Sequence, residues 1–137
     1  SVYVNQLKGL NKMRISQTAL ASVLQANVAE VKFARRNPKP GAPSERRMLC
    51  TNSARLLNSD KGRLALRYTP PTSAPKYNPS TKNLIITWDV FMQSYRTINA
   101  DNCQLISIIP DDDSFWDYFT EKLTSMTPSQ KTAFMSV

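Results

Sequence analysis

The chain has 137 residues, enough for one domain with a buried core, and its hydrophobic content of 41 % excludes a disordered chain. No apolar run approaches the roughly 18 residues of a membrane span, so we expect no membrane partner. The formal net charge is +8, which favours a polyanionic partner, and the absence of histidine excludes the usual Cys/His zinc site within one chain.

The first predicted elements are a helix and a hairpin. Ser16 is a good N-cap, the apolar spacing after it predicts a helix, and Asn27 suits a left-handed C-terminal position. The apolar period then changes to two, which predicts a strand from residue 29 to 35. Residues 37–44 form a Pro/Gly loop, and a return strand is expected over residues 46–51.

The middle of the chain contains a short helix and a long insert. Residues 51–58 predict a capped single turn of helix, and residues 62–68 fit either a short strand or another helical turn. Residues 69–81 contain four prolines. A loop of this length inside a compact domain is usually functional or mobile.

The second half of the chain predicts three strands and a closing helical region. The strands cover residues 83–89, 95–99 and 103–109. Asp111, Asp112 and Asp113 then open a helix, where carboxylates suit the positive helix end better than they suit a Mg²⁺ or Ca²⁺ site. Thr127 and Pro128 signal a short final helix. The aromatic residues after Ser114 fit either core packing or a dimer contact.

These elements predict a single α+β domain over residues 1–137. It would comprise a helical segment (1–27), a small antiparallel barrel or strongly bent sheet (28–109, with the insert 69–81) and C-terminal helices (111–137). The first residues lack the charged and apolar regions of a secretory signal, so we expect a cytoplasmic protein. Its cysteines, Cys50 and Cys103, would then be reduced thiols.

The positive charge lies in the first half of the chain. Residues 1–70 carry 13 Lys/Arg and 3 Asp/Glu, whereas residues 71–137 carry 5 and 7. Guanidinium groups bind phosphate oxygens in a forked geometry, and aromatic rings stack on bases. The predicted nucleic-acid-binding residues are Arg35, Arg36, Lys39, Arg46 and Arg47 on the hairpin, with Arg55, Arg63, Arg67, Arg96, Tyr68 and Tyr77 as further candidates.

Two interpretations remain open for each of three residues in the second half of the chain. Trp88 and Tyr95 fit either core packing or a stacking platform. Arg96 fits either an ion pair with Asp89 or Asp101, which would hold a hairpin, or an anion contact.

The segment containing these residues resembles a known family. The run from Leu84 to Val90, a short connection, and the run from Tyr95 to Ile108 are similar to the C-terminal signature of WYL-type domains, above all to their small phage-encoded relatives with an Sm-like barrel. The resemblance covers residues 28–109. It implies an Sm-like or SH3-like barrel and a module that senses or binds ligands or nucleic acid, in the host bacterial cytoplasm if phage-encoded.

Little in the sequence supports catalysis. There is no Gly-rich phosphate loop, no Ser/His arrangement and no paired-Glu motif, so we expect no enzyme activity and no cofactor. The sequence favours a nucleic-acid-binding protein that takes RNA or single-stranded DNA. The alternative is a phage accessory protein that binds an acidic host protein with the same surface. The sequence does not decide whether the protein forms a homo-oligomer.

Overall fold

A computed structural model describes residues 5–6, 15–35, 38–41, 43–75 and 78–128. The strands are β1 (Asn5–Gln6), β2 (Asn27–Ala34), β3 (Glu45–Thr51), β4 (Leu84–Asp89), β5 (Ser94–Asn99) and β6 (Cys103–Pro110). The helices are α1 (Gln17–Ala26), α2 (Ala54–Leu57), α3 (Asp60–Ala65) and α4 (Asp113–Ser125), and short 3-10 helices cover Pro79–Lys82 and Ala100–Asn102.

The fold is α+β, as the sequence predicts, but the predicted closed barrel is wrong. The strands form one antiparallel sheet in the order β1-β6-β2-β3-β4-β5. Within the described residues, the two edges β1 and β5 do not pair with each other, so the sheet stays open. Only two residue pairs, Cys50–Asp89 and Thr51–Trp88, join β3 to β4. The sheet therefore consists of two well-paired parts with a narrow junction.

The core lies on both faces of the β2–β3 hairpin, because successive strand residues point to opposite sides. On one face, Val28 and Leu49 pack with the aromatic residues of α4 and with α2. On the other face, Ala29 and Met48 pack with α1 and with the inward residues of β4 and β5. Each cluster combines residues from distant parts of the chain, which fixes the two hairpins against the helices.

The β4–β5 hairpin also has two distinct faces. Ile85 and Ile98 are paired across the strands, and both belong to the cluster that contains α1. The residues of opposite parity, which include the pair Trp88–Tyr95, therefore lie on the outward face of this hairpin. This outward face forms the floor of the concavities described below.

Polar side chains that precede the helices cap their first turns. Ser16 caps α1 as predicted, with its hydroxyl oxygen accepting from the amide of Ala19 at 3.1 Å. Asn27 is extended rather than left-handed, because it already begins β2 and pairs with Pro110. Of the alternatives for residues 62–68, the helical turn is found over residues 62–65, where α3 ends, and Ser59 caps α3 by accepting from the amide of Gly62.

The predicted final helix extends beyond residue 128 and lies mostly outside the described residues. In α4, the predicted core packing is confirmed for Phe115 and Phe119, which are buried. Leu123, further along α4, is an exception, because it is 38 % exposed. The predicted acidic start of this helix is confirmed, since Asp112 caps it by accepting from the amide of Ser114 at 2.9 Å.

Candidate nucleic-acid interface

A groove with a volume of about 940 Å³ crosses the outward face of the β4–β5 hairpin. We call it the aromatic groove. Its floor includes Ile86, Tyr68 and Tyr95, one wall is α2 with Asn58, and the other wall is the Pro-rich segment over residues 71–75. None of its lining residues is acidic. A concavity of this size suits a small organic ligand or part of a larger one.

Three aromatic rings form the base of the groove. Trp88 contacts Tyr68 and Tyr95 edge-to-face, with ring centroids 5.1 Å away in each case. The two tyrosine hydroxyls are hydrogen-bonded at 2.7 Å, and the indole Nε1 donates to the carbonyl of Leu66 at 3.3 Å. Edge-to-face contacts and two hydrogen bonds hold the three rings in fixed orientations.

The environment of Tyr95 keeps its hydroxyl protonated. Burial is the main cause that raises the pKa of Tyr95, and the hydrogen bond with Tyr68 raises it further. The phenol is therefore neutral over the physiological range and retains a proton that it can donate. The sequence interpretation of Tyr95 and Trp88 as packing residues is confirmed for Trp88, which is 4 % exposed.

Local capping positions the α2 wall of the groove. The hydroxyl of Ser53 accepts from the amide of Leu56 at 3.2 Å and donates to Asp111 at 2.6 Å, which fixes the start of α2. The side chain of Asn52 donates to the carbonyl of Ile86 at 2.9 Å and joins this start to the floor. The wall is thus attached directly to β4.

The positive charge nearest the aromatic groove comes from α3 and from the residues that follow it. The guanidinium of Arg63 lies over the ring of Tyr68 at 5.6 Å and donates to Asn58 Oδ1 at 3.0 Å. Arg67 is exposed immediately before Tyr68 and adopts a left-handed conformation with φ of 52°. Neither arginine is among the lining residues, but Arg63 contacts two of them, Tyr68 and Asn58, and therefore lies at the rim of the aromatic groove.

A second, smaller cavity of about 360 Å³ contains Arg35. We call it the Arg35 cavity. Its lining includes Leu84, Thr97 and Asn99, which share the outward face of the hairpin with Ile86 and Tyr95. Asn99 is four positions after Tyr95, which corresponds to about 13 Å along a strand. The cavity also borders Ile98 and Phe33, which belong to or pack against the cluster that contains α1, so it lies where the two faces meet at this end of the hairpin.

The structure corrects the expectation for Arg46. It was expected to contact phosphate, but its side chain is 3 % exposed and its Nη2 atom contacts Asp89 Oδ2 at 2.7 Å. Arg46 and Arg47 are neighbours in β3, so their side chains point to opposite faces of the sheet. The side chain of Arg46 points inward, and that of Arg47 is exposed. Arg47 forms an ion pair with the buried Glu30, so part of its charge is neutralised within the protein.

Other predicted residues lie outside the two concavities. Arg55 is exposed on α2 and pairs with Asp111 at 2.5 Å, and Lys39 is exposed in the hairpin loop. Arg96 lies opposite Thr87, on the face that carries Ile85 and Ile98, and donates to the carbonyl of Tyr95 at 3.1 Å. Asp89, one of its two predicted partners, is instead paired with Arg46. Arg36 and Tyr77 lie outside the described residues.

Sequence reasoning missed the polar and apolar residues around the tyrosines. Asn52, Asn58 and Ile86 line the aromatic groove but belong to no recognisable motif. The available signal was the Pro-rich insert, which begins directly after the Tyr68 region and forms the second wall. Its position could be known only from the fold.

The described residues were compared with the requirements of a metal site and of a membrane-spanning helix. There, no group of three or more His, Cys, Asp or Glu side chains could hold a metal ion. Asp111 already accepts a hydrogen bond from Ser53 and forms an ion pair with Arg55. A hydrogen bond from Ser114 lowers the pKa of Asp112. In the same part of the chain, no helix has the length and apolar character needed to cross a membrane.

Comparison with known proteins gives no family for this chain. No family model, no curated protein and no solved structure matches it. The functional argument therefore depends on the geometry of the aromatic groove and of the Arg35 cavity.

Proposed function

We propose that this protein binds single-stranded nucleic acid, either RNA or single-stranded DNA, across the outward face of the β4–β5 hairpin. The observation that carries the proposal is the aromatic groove, whose lining includes Tyr68 and no acidic residue, with Arg63 beside it over the Tyr68 ring. Binding of a single strand combines aromatic surfaces for bases with cations for the phosphate backbone. Here Tyr68 and Tyr95 line the concavity, and the guanidinium of Arg63 lies next to it.

The Arg35 cavity supports the same path for the ligand. It shares Leu84, Thr97 and Asn99 with the outward face of the hairpin, and Arg35 is the cation among its lining residues. A single strand that crosses this face would meet Arg63 and Arg67 at one end and Arg35 at the other. The resemblance to small phage-encoded WYL-like proteins also favours binding over catalysis.

A salt series of fluorescence anisotropy measurements tests the proposal. The ligands are a labelled single-stranded DNA, an RNA of the same sequence and a DNA duplex. We expect the two single strands to bind more tightly than the duplex, and the affinity to fall steeply as salt rises, because phosphate contacts release counterions. Failure of all three ligands at low salt would reject the proposal and favour an acidic protein partner.

The helix α3 provides a matched pair of charge variants. Arg63 lies over Tyr68 in the aromatic groove, whereas Lys61 lies over Trp116 at 5.8 Å on a different side of the short helix. Both side chains are exposed, and each is above an aromatic ring. Arg63→Ala should weaken single-strand binding about three- to tenfold and lower the salt slope by about one unit, whereas Lys61→Ala should change little. Equal effects of the two would indicate non-specific attraction by net charge.

A further inference from the structure

We infer that the aromatic groove holds one unpaired nucleobase, whose polar edge is hydrogen-bonded by the Tyr68–Tyr95 hydroxyl pair. This inference rests on the proposed function and adds to it a defined contact with the base. A base has apolar faces and a polar edge, so its site needs apolar walls and a few polar groups at the floor. The groove has this combination in Leu57 and Ile86, the prolines of the opposite wall and the two hydroxyls.

The hydroxyl pair leaves one donor for a ligand. Two phenols contain two protons, and the 2.7 Å bond between Tyr68 and Tyr95 uses one of them. The remaining O–H group needs another acceptor, which water supplies when the groove is open. Every nucleobase carries carbonyl or ring-nitrogen acceptors on an edge that is free in a single strand. A contact with the Watson–Crick edge requires an unpaired base, because base pairing occupies the acceptors of that edge.

The groove is preorganised for such a contact. Trp88 fixes both tyrosine rings through edge-to-face contacts, and its own position is fixed by the hydrogen bond to Leu66. A base that enters the groove would therefore find its partner atoms already in place. Preorganisation lowers the entropy cost of binding and favours a defined contact over a loose apolar one.

The charge distribution favours a nucleotide over an uncharged ligand. The guanidinium of Arg63 is at the rim next to Tyr68, and Asn58 orients it by accepting a hydrogen bond. A base seated near Tyr68 would bring its phosphate close to this rim. A proline-rich peptide would also fit an aromatic-lined concavity, but its backbone carries no negative charge for Arg63.

The tryptophan beneath the two groove tyrosines provides the readout. The chain has two tryptophans, and a Trp116→Phe background leaves Trp88, which touches both tyrosines, as the sole fluorophore of this type. The probes are a short oligothymidylate, an abasic phosphodiester oligomer of the same length and a proline-rich peptide. We expect the oligothymidylate to change Trp88 emission and to bind at least about tenfold more tightly than the abasic oligomer.

Hydroxyl deletions test the base contact directly. Tyr95→Phe and Tyr68→Phe retain the rings and should each weaken oligothymidylate binding about three- to tenfold, while abasic binding stays unchanged. Tyr118→Phe is the matched control, because Tyr118 is a residue of α4 that packs in the core and does not line the groove. Thermal melting of each variant checks that the fold is retained.

The outcomes separate this inference from the proposed function. Equal, salt-sensitive binding of the abasic oligomer and the oligothymidylate, with no effect of the Tyr→Phe changes, would overturn the base contact and leave nucleic-acid binding intact. Absence of binding by both oligomers would overturn the proposed function itself. Binding of the peptide in place of the oligothymidylate would identify a protein-binding groove and reject the nucleobase.

Discussion

Arg46 and Asp89 form an ion pair in the interior, next to the narrow junction between β3 and β4. Their side chains are 3 % and 2 % exposed, and the Nη2–Oδ2 distance is 2.7 Å. Asp89 also accepts from the backbone amides of Phe91 and Met92, at 3.1 Å and 3.0 Å. The carboxylate therefore organises the turn after β4 and neutralises a buried guanidinium at the same time.

The first prediction concerns this pair. Asp89→Asn should lower the free energy of unfolding by about 3–5 kcal/mol, because it leaves the charge of Arg46 buried without compensation. Arg46→Met should cost less, since Asp89 keeps its two amide donors. Urea unfolding of the single variants and the double variant gives the coupling energy. The double variant should lose clearly less than the sum, and simple additivity would contradict the ion pair.

The second prediction concerns Gly62 in α3. A Cβ atom there would overlap the carbonyl oxygen of Leu56 and lie 2.7 Å from that of Leu57. Gly62→Ala should therefore destabilise the protein by about 2 kcal/mol, although alanine is the better helix former by about 1 kcal/mol. The measurement is the urea midpoint. Leu64→Ala, at a position that is 80 % exposed in the same helix, should be nearly neutral. A gain in stability on Gly62→Ala would contradict the close approach of α2 and α3.

The third prediction is a loss of stability at alkaline pH. Folding raises the pKa of Cys50 and Tyr95 mainly by burial, and burial raises the pKa of Cys103 to about 12. A raised pKa means that the folded state holds the proton more tightly. Its stabilising contribution is complete below the unfolded values, near 9.0 for the thiols and 10.0 for the phenol, and is lost as pH rises towards the folded values.

Urea unfolding at a series of pH values checks this sign. The free energy of unfolding should be insensitive to these groups near neutral pH and should fall above about pH 9. Cys50→Ala should flatten the first part of the fall, because it removes one of the two thiols. Unfolding free energy that rises between about pH 9 and 11 would contradict the burial of these groups.

The fourth prediction assigns Arg96 to the structure and not to the ligand. Arg96 lies cross-strand from Thr87, on the side of the hairpin opposite the aromatic groove. Arg96→Ala should therefore change single-strand affinity by less than about twofold, whereas a lost phosphate contact would cost more. Anisotropy titrations at one salt concentration, with Arg63→Ala as the comparison, measure this. A loss as large as that of Arg63→Ala would place Arg96 on the ligand path.

The sequence predicts the elements well because its local signals are strong. Ser16 and Asp112 each precede a helix and cap it, and the alternation in β2 and β3 directs their residues to two faces. Closure of the sheet was not predictable, because it depends on whether distant edges meet. Local patterns contain no information on that question.

The candidate site was predicted only in part, for a related reason. The arginine-rich composition drew attention to the region of Arg63, Arg67 and Tyr68, which lies at the aromatic groove, but composition cannot tell a buried arginine from an exposed one. Arg46 and Arg47 are adjacent in β3, yet one is in the interior and the other on the surface. Strand parity separates them, and the inward face becomes known only when the partners of the strand are known.

The narrow junction between β3 and β4 has a consequence for how the protein opens. Two residue pairs join these strands, whereas six join β4 to β5 and seven join β2 to β3. Backbone amides in the β4–β5 hairpin should therefore exchange with deuterium as a separate cooperative unit, earlier than those of β2 and β3. The floor of the aromatic groove belongs to that less protected unit, so a bound oligonucleotide should slow its exchange selectively.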